Sequence, residues 1–285
     1  MYEDENCKIR GSKNRKAHRG RFLIIVLILA AGCLLWNLYH GASGIVSSKN
    51  AWVSSQKIQQ DQISQLRAML PDYPELSAVI ENSGQYPSEV VDLFLKNQES
   101  IGYLIHYPER NSDQKVTIKK DWKKGEIPLF LQWDERWGYK SYGSGLIGWT
   151  GCGPTCLSMA VAGLTGSEKW TPDAVAQFSE KAGYYTPGSG TNWSLMSEGA
   201  ERLGVSSKEL SLSESNMKAE LDRGHVIICS VGPGDFTTEG HYILIRGYDD
   251  RGFLINDPNS RVRSDEAWSF ERLRPQIKNL WSLSA

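Results

Sequence analysis

Residues 151–158, Gly-Cys-Gly-Pro-Thr-Cys-Leu-Ser, set a cysteine in a glycine-rich turn directly before a helix start. Pro154 has a fixed φ suited to a first helical turn. Leu157, Met159, Ala160, Val161 and Leu164 then recur at helical spacing up to a stop at Gly166. Cys152 therefore falls at a helix N-terminus, where unpaired N–H groups and the positive end of the dipole favour a thiolate. The flanking Gly151 and Gly153 are expected to leave room for a substrate backbone.

A nucleophilic thiol needs a base, and the chain holds five histidines. His18 and His40 flank a hydrophobic segment, His106 lies in a polar stretch, and His225 opens an apolar run that reads as a buried strand. His241 differs, because it follows the glycine-bearing loop 232–240 and starts the apolar strand Tyr242-Ile243-Leu244-Ile245. A turn at Asp249-Asp250-Arg251-Gly252 leads into Phe253-Leu254-Ile255 and then Asn256-Asp257-Pro258. Adjacent antiparallel strands would bring Asp257 to His241, where a carboxylate can hold the imidazole tautomer and stabilise its cation. Asn259 is an alternative partner for His241, or simply a turn residue after proline. The loop 232–240, with three glycines, is a candidate lid. Cys156 and Cys229 read as core residues. No second cysteine pair stands ready to make a zinc site, and Cys152 and Cys156 are poorly placed for a disulfide.

Gly-Cys-Gly-Pro-Thr at 151–155, Gly-His-Tyr at 240–242 and Asn-Asp-Pro-Asn at 256–259 together resemble the stand-alone relatives of the bacteriocin leader (double-glycine) peptidases, a branch of the papain-like cysteine peptidases. The segment 127–139, Ile-Pro-Leu-Phe-Leu-Gln-Trp-Asp-Glu-Arg-Trp-Gly-Tyr, is similar to the opening of that domain, so the likeness covers roughly residues 125–283. It implies a Cys152-His241-Asp257 mechanism, with His241 as base and then acid, a thioester acyl-enzyme, and an ion-paired thiol titrating below its free value. It also implies that Gln132 supplies an oxyanion donor beside the Cys152 N–H. One departure stands out: Gln132 precedes Cys152 by 152 − 132 = 20 residues, where the family keeps the two within about one turn of sequence.

Residues 22–39 are apolar apart from Gly32 and Asn37, and as a helix would span about 27 Å at about 1.5 Å per residue. That matches a bilayer's hydrocarbon thickness. Seven basic residues between Lys8 and Arg21 precede the segment and few follow it, which puts residues 1–21 in the cytoplasm and the rest of the chain outside. The expectation is a single-pass signal anchor in a bacterial cell membrane. A cleaved signal peptide ending near Gly41-Ala42-Ser43-Gly44, or a lipoprotein modified at Cys33, is the alternative. A net charge of −1 gives no pull toward nucleic acid. No phosphate-binding loop, metal pattern or cofactor motif is evident. With Cys7 inside and Cys33 in the membrane, three cysteines lie outside, and an odd number suits a free thiol better than a disulfide framework.

Residues 40–124 read as an extracytoplasmic spacer, partly helical, with helical runs at 58–70, 75–80 and 88–95; it is either a passive stalk or a small helical unit that packs on the domain or partly covers the cleft. Residues 125–285 read as the papain-like domain. Helices are expected from 152, 172, 193 and 213, then strands at 225–231, 241–248 and 252–256. Helices first and an antiparallel sheet after make an α+β fold. The function expected is an extracytoplasmic cysteine peptidase acting on peptides, proteins or cell-wall peptides. A cell-wall amidase or transpeptidase using the same groups, and a non-catalytic binding module, are the alternatives.

Overall fold

A computed structural model describes residues 57–121, 123 and 125–285. The expected cytoplasmic tail, the anchor at 22–39 and the start of the spacer lie outside the described residues. Among the described residues no helix is long and apolar enough to cross a membrane.

The sheet is the scaffold of the domain. Six antiparallel strands run in the order β5 (Ser206–Glu209), β10 (Ile277–Ser284), β6 (Val226–Val231), β7 (His241–Asp249), β8 (Gly252–Asn256) and β9 (Ala267–Trp268). The central strands are apolar on both faces, and successive residues serve different cores. Val226 and Ile228 of β6 join Tyr242 and Leu244 of β7 and Trp281 and Leu283 of β10 in one cluster. Ile227, Cys229, Val231, Ile243, Ile245 and Leu280 join the other. A helix covers the first face: α6 (Cys152–Thr165), buried through residues 153–162 and stopped at Gly166 in the left-handed region (φ 73°). Alongside it runs α7 (Pro172–Lys181), capped by the Thr171 side chain.

The three strands anticipated are present at 226–231, 241–249 and 252–256. Three more complete the sheet, among them β10, which pairs with β6 on one side and the edge strand β5 on the other. The helix expected from 193 is reduced to a helical turn at Trp193–Leu195 and the short α8 (Glu198–Arg202). Ser213 caps α9 (Glu214–Leu221) as its position predicts.

Before the sheet domain come α1 (Gln60–Ala68), α2 (Leu76–Glu81), α3 (Ser88–Lys96) and α4 (Ile101–Ile105). Their inward residues, including Leu66, Val79, Val90, Phe94 and Leu104, form a core that also takes in Tyr139, with Trp133, Leu146 and Trp149 packed against it. This is a junction with the sheet domain, and two glycines define it. The Tyr103 ring stacks on Tyr139 at 4.4 Å, and its hydroxyl donates to Gly138 O at 2.8 Å. A Cβ at Gly148 would meet the Tyr103 hydroxyl oxygen at 2.4 Å, and one at Gly138 would meet its ring at 2.9 Å. The helices and the sheet domain thus fall in one compact unit.

Phe94 is fully buried in this shared core. Phe94→Ala should cost about 3–5 kcal/mol while the chain still unfolds in one transition. Denaturant unfolding followed by tryptophan fluorescence and by circular dichroism checks this; separate transitions would mean that the helices fold independently.

Candidate active site

Cys152 is the first residue of α6 and is partly buried. Its own N–H belongs to the first turn and has no intrahelical acceptor. The neighbouring glycines serve a different purpose from the one expected. A Cβ on Gly151 would lie 2.5 Å from Ile147 Cγ2, and one on Gly153 would lie 2.8 Å from Thr191 Cγ2. The protein's own chain fills the space on both sides, so these glycines admit Ile147 and Thr191 and leave no room there for a substrate backbone.

His241 begins β7 and Asp257 follows β8. The last register pair, Leu244 with Asn256, sums to 500, so continuing the ladder sets Asp257 opposite Ile243 and makes it a diagonal neighbour of His241. Side chains reach across such a diagonal. His241 Nε2 lies 2.8 Å from Asp257 Oδ1, and the imidazole lines one cleft with Cys152; with Nε2 committed to Asp257, Nδ1 is the ring nitrogen left for the thiol. His241 is 8% exposed and Asp257 not at all.

Asp257 is held by more than the histidine. Its Oδ2 accepts from Arg263 Nε at 2.6 Å and its Oδ1 from Asn259 N at 2.8 Å, while its own N–H donates to Ser264 Oγ. Burial by itself pushes the Asp257 carboxyl up, but the His241 and Arg263 cations and the hydrogen bonds outweigh it and hold the group below 3.8. For His241 burial again acts first, pushing the imidazole down; the Asp257 charge, its hydrogen bond and Cys152 more than offset that and raise it from 6.5 to about 10.

Asn259 therefore contributes its backbone rather than orienting the imidazole. Its N–H binds Asp257, and its carbonyl accepts from Trp133 Nε1 and from Asn97. Gln132 is 4% exposed and lines the same cleft as Cys152 and His241. The extra residues between Gln132 and Cys152 make an excursion: a turn, the hairpin β1 (Ser141–Tyr142) and β2 (Gly145–Leu146), and the single-turn α5 (Ile147–Thr150). The excursion packs on the N-terminal helices and then returns, and Gln132 Nε2 donates to Gly148 O at its end.

The remaining candidates are accounted for by packing. Burial pushes the Cys156 and Cys229 thiols up, and both lie in cores. His225 binds buried Glu220, which also accepts from Ser282. His106 pairs with Glu135 at the surface. The loop 232–240 lines the cleft but is tied down, with Asp235 held by Arg272 and Gln276. A group of His, Cys, Asp and Glu side chains able to hold a metal is absent among the described residues.

The cleft measures about 470 Å³, within the range of ligand sites. Sequence reasoning missed two of its walls. Arg263 stands six residues past Asp257 and is brought back by the short α10 (Arg261–Ser264); only a basic residue soon after Asn-Asp-Pro hinted at it. Glu89 and Asp92 come from α3, with no motif to mark them.

The family model described as Peptidase_C39 like family matches residues 124–283. Among solved structures, the peptidase domain of Streptococcus ComA, a bifunctional ABC transporter involved in quorum sensing, is 22% identical with a TM-score of 0.40; the match covers 56% of this chain and 98% of that one. A Bacillus anthracis protein solved as a C39-like peptidase is 16% identical with a TM-score of 0.31, covering 61% of this chain and 98% of that one. No curated protein matches.

The buried pair predicts a defined pH response. Asp257, lowered on folding, contributes stability above its ordinary 3.8 and loses it as pH falls through its folded value. His241, raised on folding, contributes fully below its ordinary 6.5 and loses that contribution as pH rises through about 10. Urea unfolding at pH 6, 8 and 10 should show stability falling between 6.5 and 10, with a shallower fall in His241→Gln. Equal slopes in the two proteins would refute the assignment.

Proposed function

The chain belongs to the Peptidase_C39 like family, whose domain spans residues 124–283, and from that premise we propose a cysteine peptidase that cleaves peptide bonds through a thioester acyl-enzyme. The observation that carries the reading is the His241 imidazole, hydrogen-bonded to buried Asp257 at 2.8 Å and lining one cleft with Cys152 at the start of α6.

In this scheme the Cys152 proton already rests on His241 Nδ1 and the thiolate Sγ attacks the carbonyl carbon. The resulting cation is stabilised by Asp257, whose second oxygen is committed to Arg263. The oxyanion is met by the Cys152 N–H at the helix N-terminus. Gln132 Nε2 has two hydrogens and gives one to Gly148 O, which fixes the amide; the second is the further donor we assign to the oxyanion. As the C–N bond breaks, His241 returns its proton to the departing amine. Water, deprotonated by His241, then releases the acyl group. An acyl acceptor other than water would turn the same groups to amide or peptide transfer.

We also propose that residues 22–39 anchor the chain in the membrane, with this domain on the extracytoplasmic side and peptides, secreted proteins or cell-wall peptides as substrates. The basic residues before the segment support this topology.

Iodoacetamide at pH 6 should alkylate Cys152 selectively over Cys156 and Cys229 by peptide mass mapping, and His241→Ala should lose that selectivity. On a cleaved peptide, Cys152→Ala should show no turnover and Asp257→Asn should lose about a thousandfold or more in kcat/KM. Full activity in Cys152→Ala would end the proposal. For topology, a protease added to intact cells should digest an epitope fused after Ala285; an epitope that becomes sensitive only after lysis would reverse the orientation.

A further inference from the structure

The cleft wall facing Cys152 comes from outside the family domain. Helix α3, residues 88–96, precedes the matched region 124–283 and presents Glu89 and Asp92 to the same cleft as Cys152, His241 and Gln132. The segment that reads as a spacer therefore forms part of the site.

The polar atoms of this cleft are unevenly satisfied. Glu89 Oε2, Gln132 Oε1 and Asn259 Oδ1 are buried without a hydrogen-bond partner, and all three are acceptors. Gln132 is the most enclosed, 4% exposed, with its Nε2 already used on Gly148. Among the described residues that line it, Arg263 Nη2 is the one buried side-chain donor atom with no partner at all. A buried acceptor without a partner forfeits the hydrogen bond it had in water, so three in one cleft select an occupant rich in N–H donors.

Charge narrows the chemistry further. Asp235 is committed to Arg272, and Arg263 to Asp257. Asp92 Oδ1 accepts from Gln62 Nε2. What remains along this wall is the Glu89 carboxylate, the second oxygen of Asp92 and exposed Glu239, against exposed Lys96 at the end of α3. The wall is acidic, and its least exposed unpartnered oxygen belongs to a carboxylate.

We propose that Glu89, with Asp92, forms a subsite for a cationic group of the peptide substrate, a lysine or arginine side chain or an α-ammonium, and that the unpartnered Gln132 and Asn259 oxygens accept its backbone N–H groups. This rests on the peptidase reading for the substrate's orientation and extends it to a substrate class. The subsite belongs to this chain's N-terminal helices and not to the family domain.

Binding can be measured without turnover. The full-length chain carrying Cys152→Ala is titrated with N-acetylated pentapeptides bearing an uncharged fluorophore at the C-terminus, with lysine or norleucine placed in turn at each position, and Kd is read by anisotropy. One lysine position should bind about tenfold tighter than its norleucine counterpart, and the advantage should shrink at high salt. Glu89→Gln should bring the ratio toward one, and Glu89→Lys should transfer the preference to a glutamate peptide. That reversal is a signature that loss of packing would not produce, and thermal unfolding of each variant reports its folding. The norleucine peptides with free N-termini separate the sources: tightening confined to them assigns the subsite to the α-ammonium. No cationic preference at any position, no peptide binding, or a preference that survives both Glu89 variants would overturn the subsite. Failure of selective Cys152 alkylation in the unsubstituted chain would instead overturn the peptidase reading, whatever the peptides do.

Discussion

A carboxylate with no solvent exposure sits at the junction of everything this site needs. Asp257 touches His241, Arg263, the Asn259 amide and Ser264. Isolated, such a charge would be too costly to bury. Two cations and the Asn259 N–H make it tolerable, and that requirement fixes the turn after β8, the short helix that returns Arg263, and the orientation of the imidazole. Removing one partner of a buried pair typically costs about 3–5 kcal/mol, so geometry and stability at this corner are coupled.

The N-terminal helices secure that corner from outside. Glu99, just before α4, accepts from Ser260 Oγ at 2.5 Å and from the N–H groups of Arg261 and Val262, capping the helix that carries Arg263. Asn97 and Trp133 both donate to the Asn259 carbonyl. At the other end of the same unit Tyr103 packs against Gly138 and against Gly148, the latter a single helical turn ahead of Cys152. One small helical assembly thus braces the approach to the thiol and the turn that bears the acid.

How much of this was legible in the sequence follows from how local each signal is. The α6 start at Cys152 is written in consecutive residues, and β6, β7 and β8 are apolar runs bounded by turns, so they could be read directly. The diagonal approach of Asp257 to His241 follows from two such strands and a tight turn. β10 escaped because Lys278, Asn279, Ser282 and Ser284 interrupt its apolar residues, and its pairing with β6 depends on a partner some fifty residues away. β5, Ser-Ser-Lys-Glu, is an exposed edge strand with no apolar pattern. Gly151 and Gly153 announced close approach correctly, but only the fold could say that Ile147 and Thr191 are what approach. Arg263, Glu89 and Glu99 are ordinary surface residue types whose roles exist only through tertiary contact.

The helical unit's two roles cannot be varied separately. Glu89 and Asp92 face the cleft from α3, Phe94 and Val90 of the same helix fill the shared core, and Asn97 and Glu99 immediately after it hold the Asn259–Val262 turn. A rigid helix transmits a shift along its axis because its interior is close-packed. A change that moved α3 outward to enlarge the acidic wall would therefore pull on the turn that positions Asp257. Recognition and the placement of the acid are set by one element, so the cleft is more open to change through the α3 side chains that face it than through the position of the helix itself.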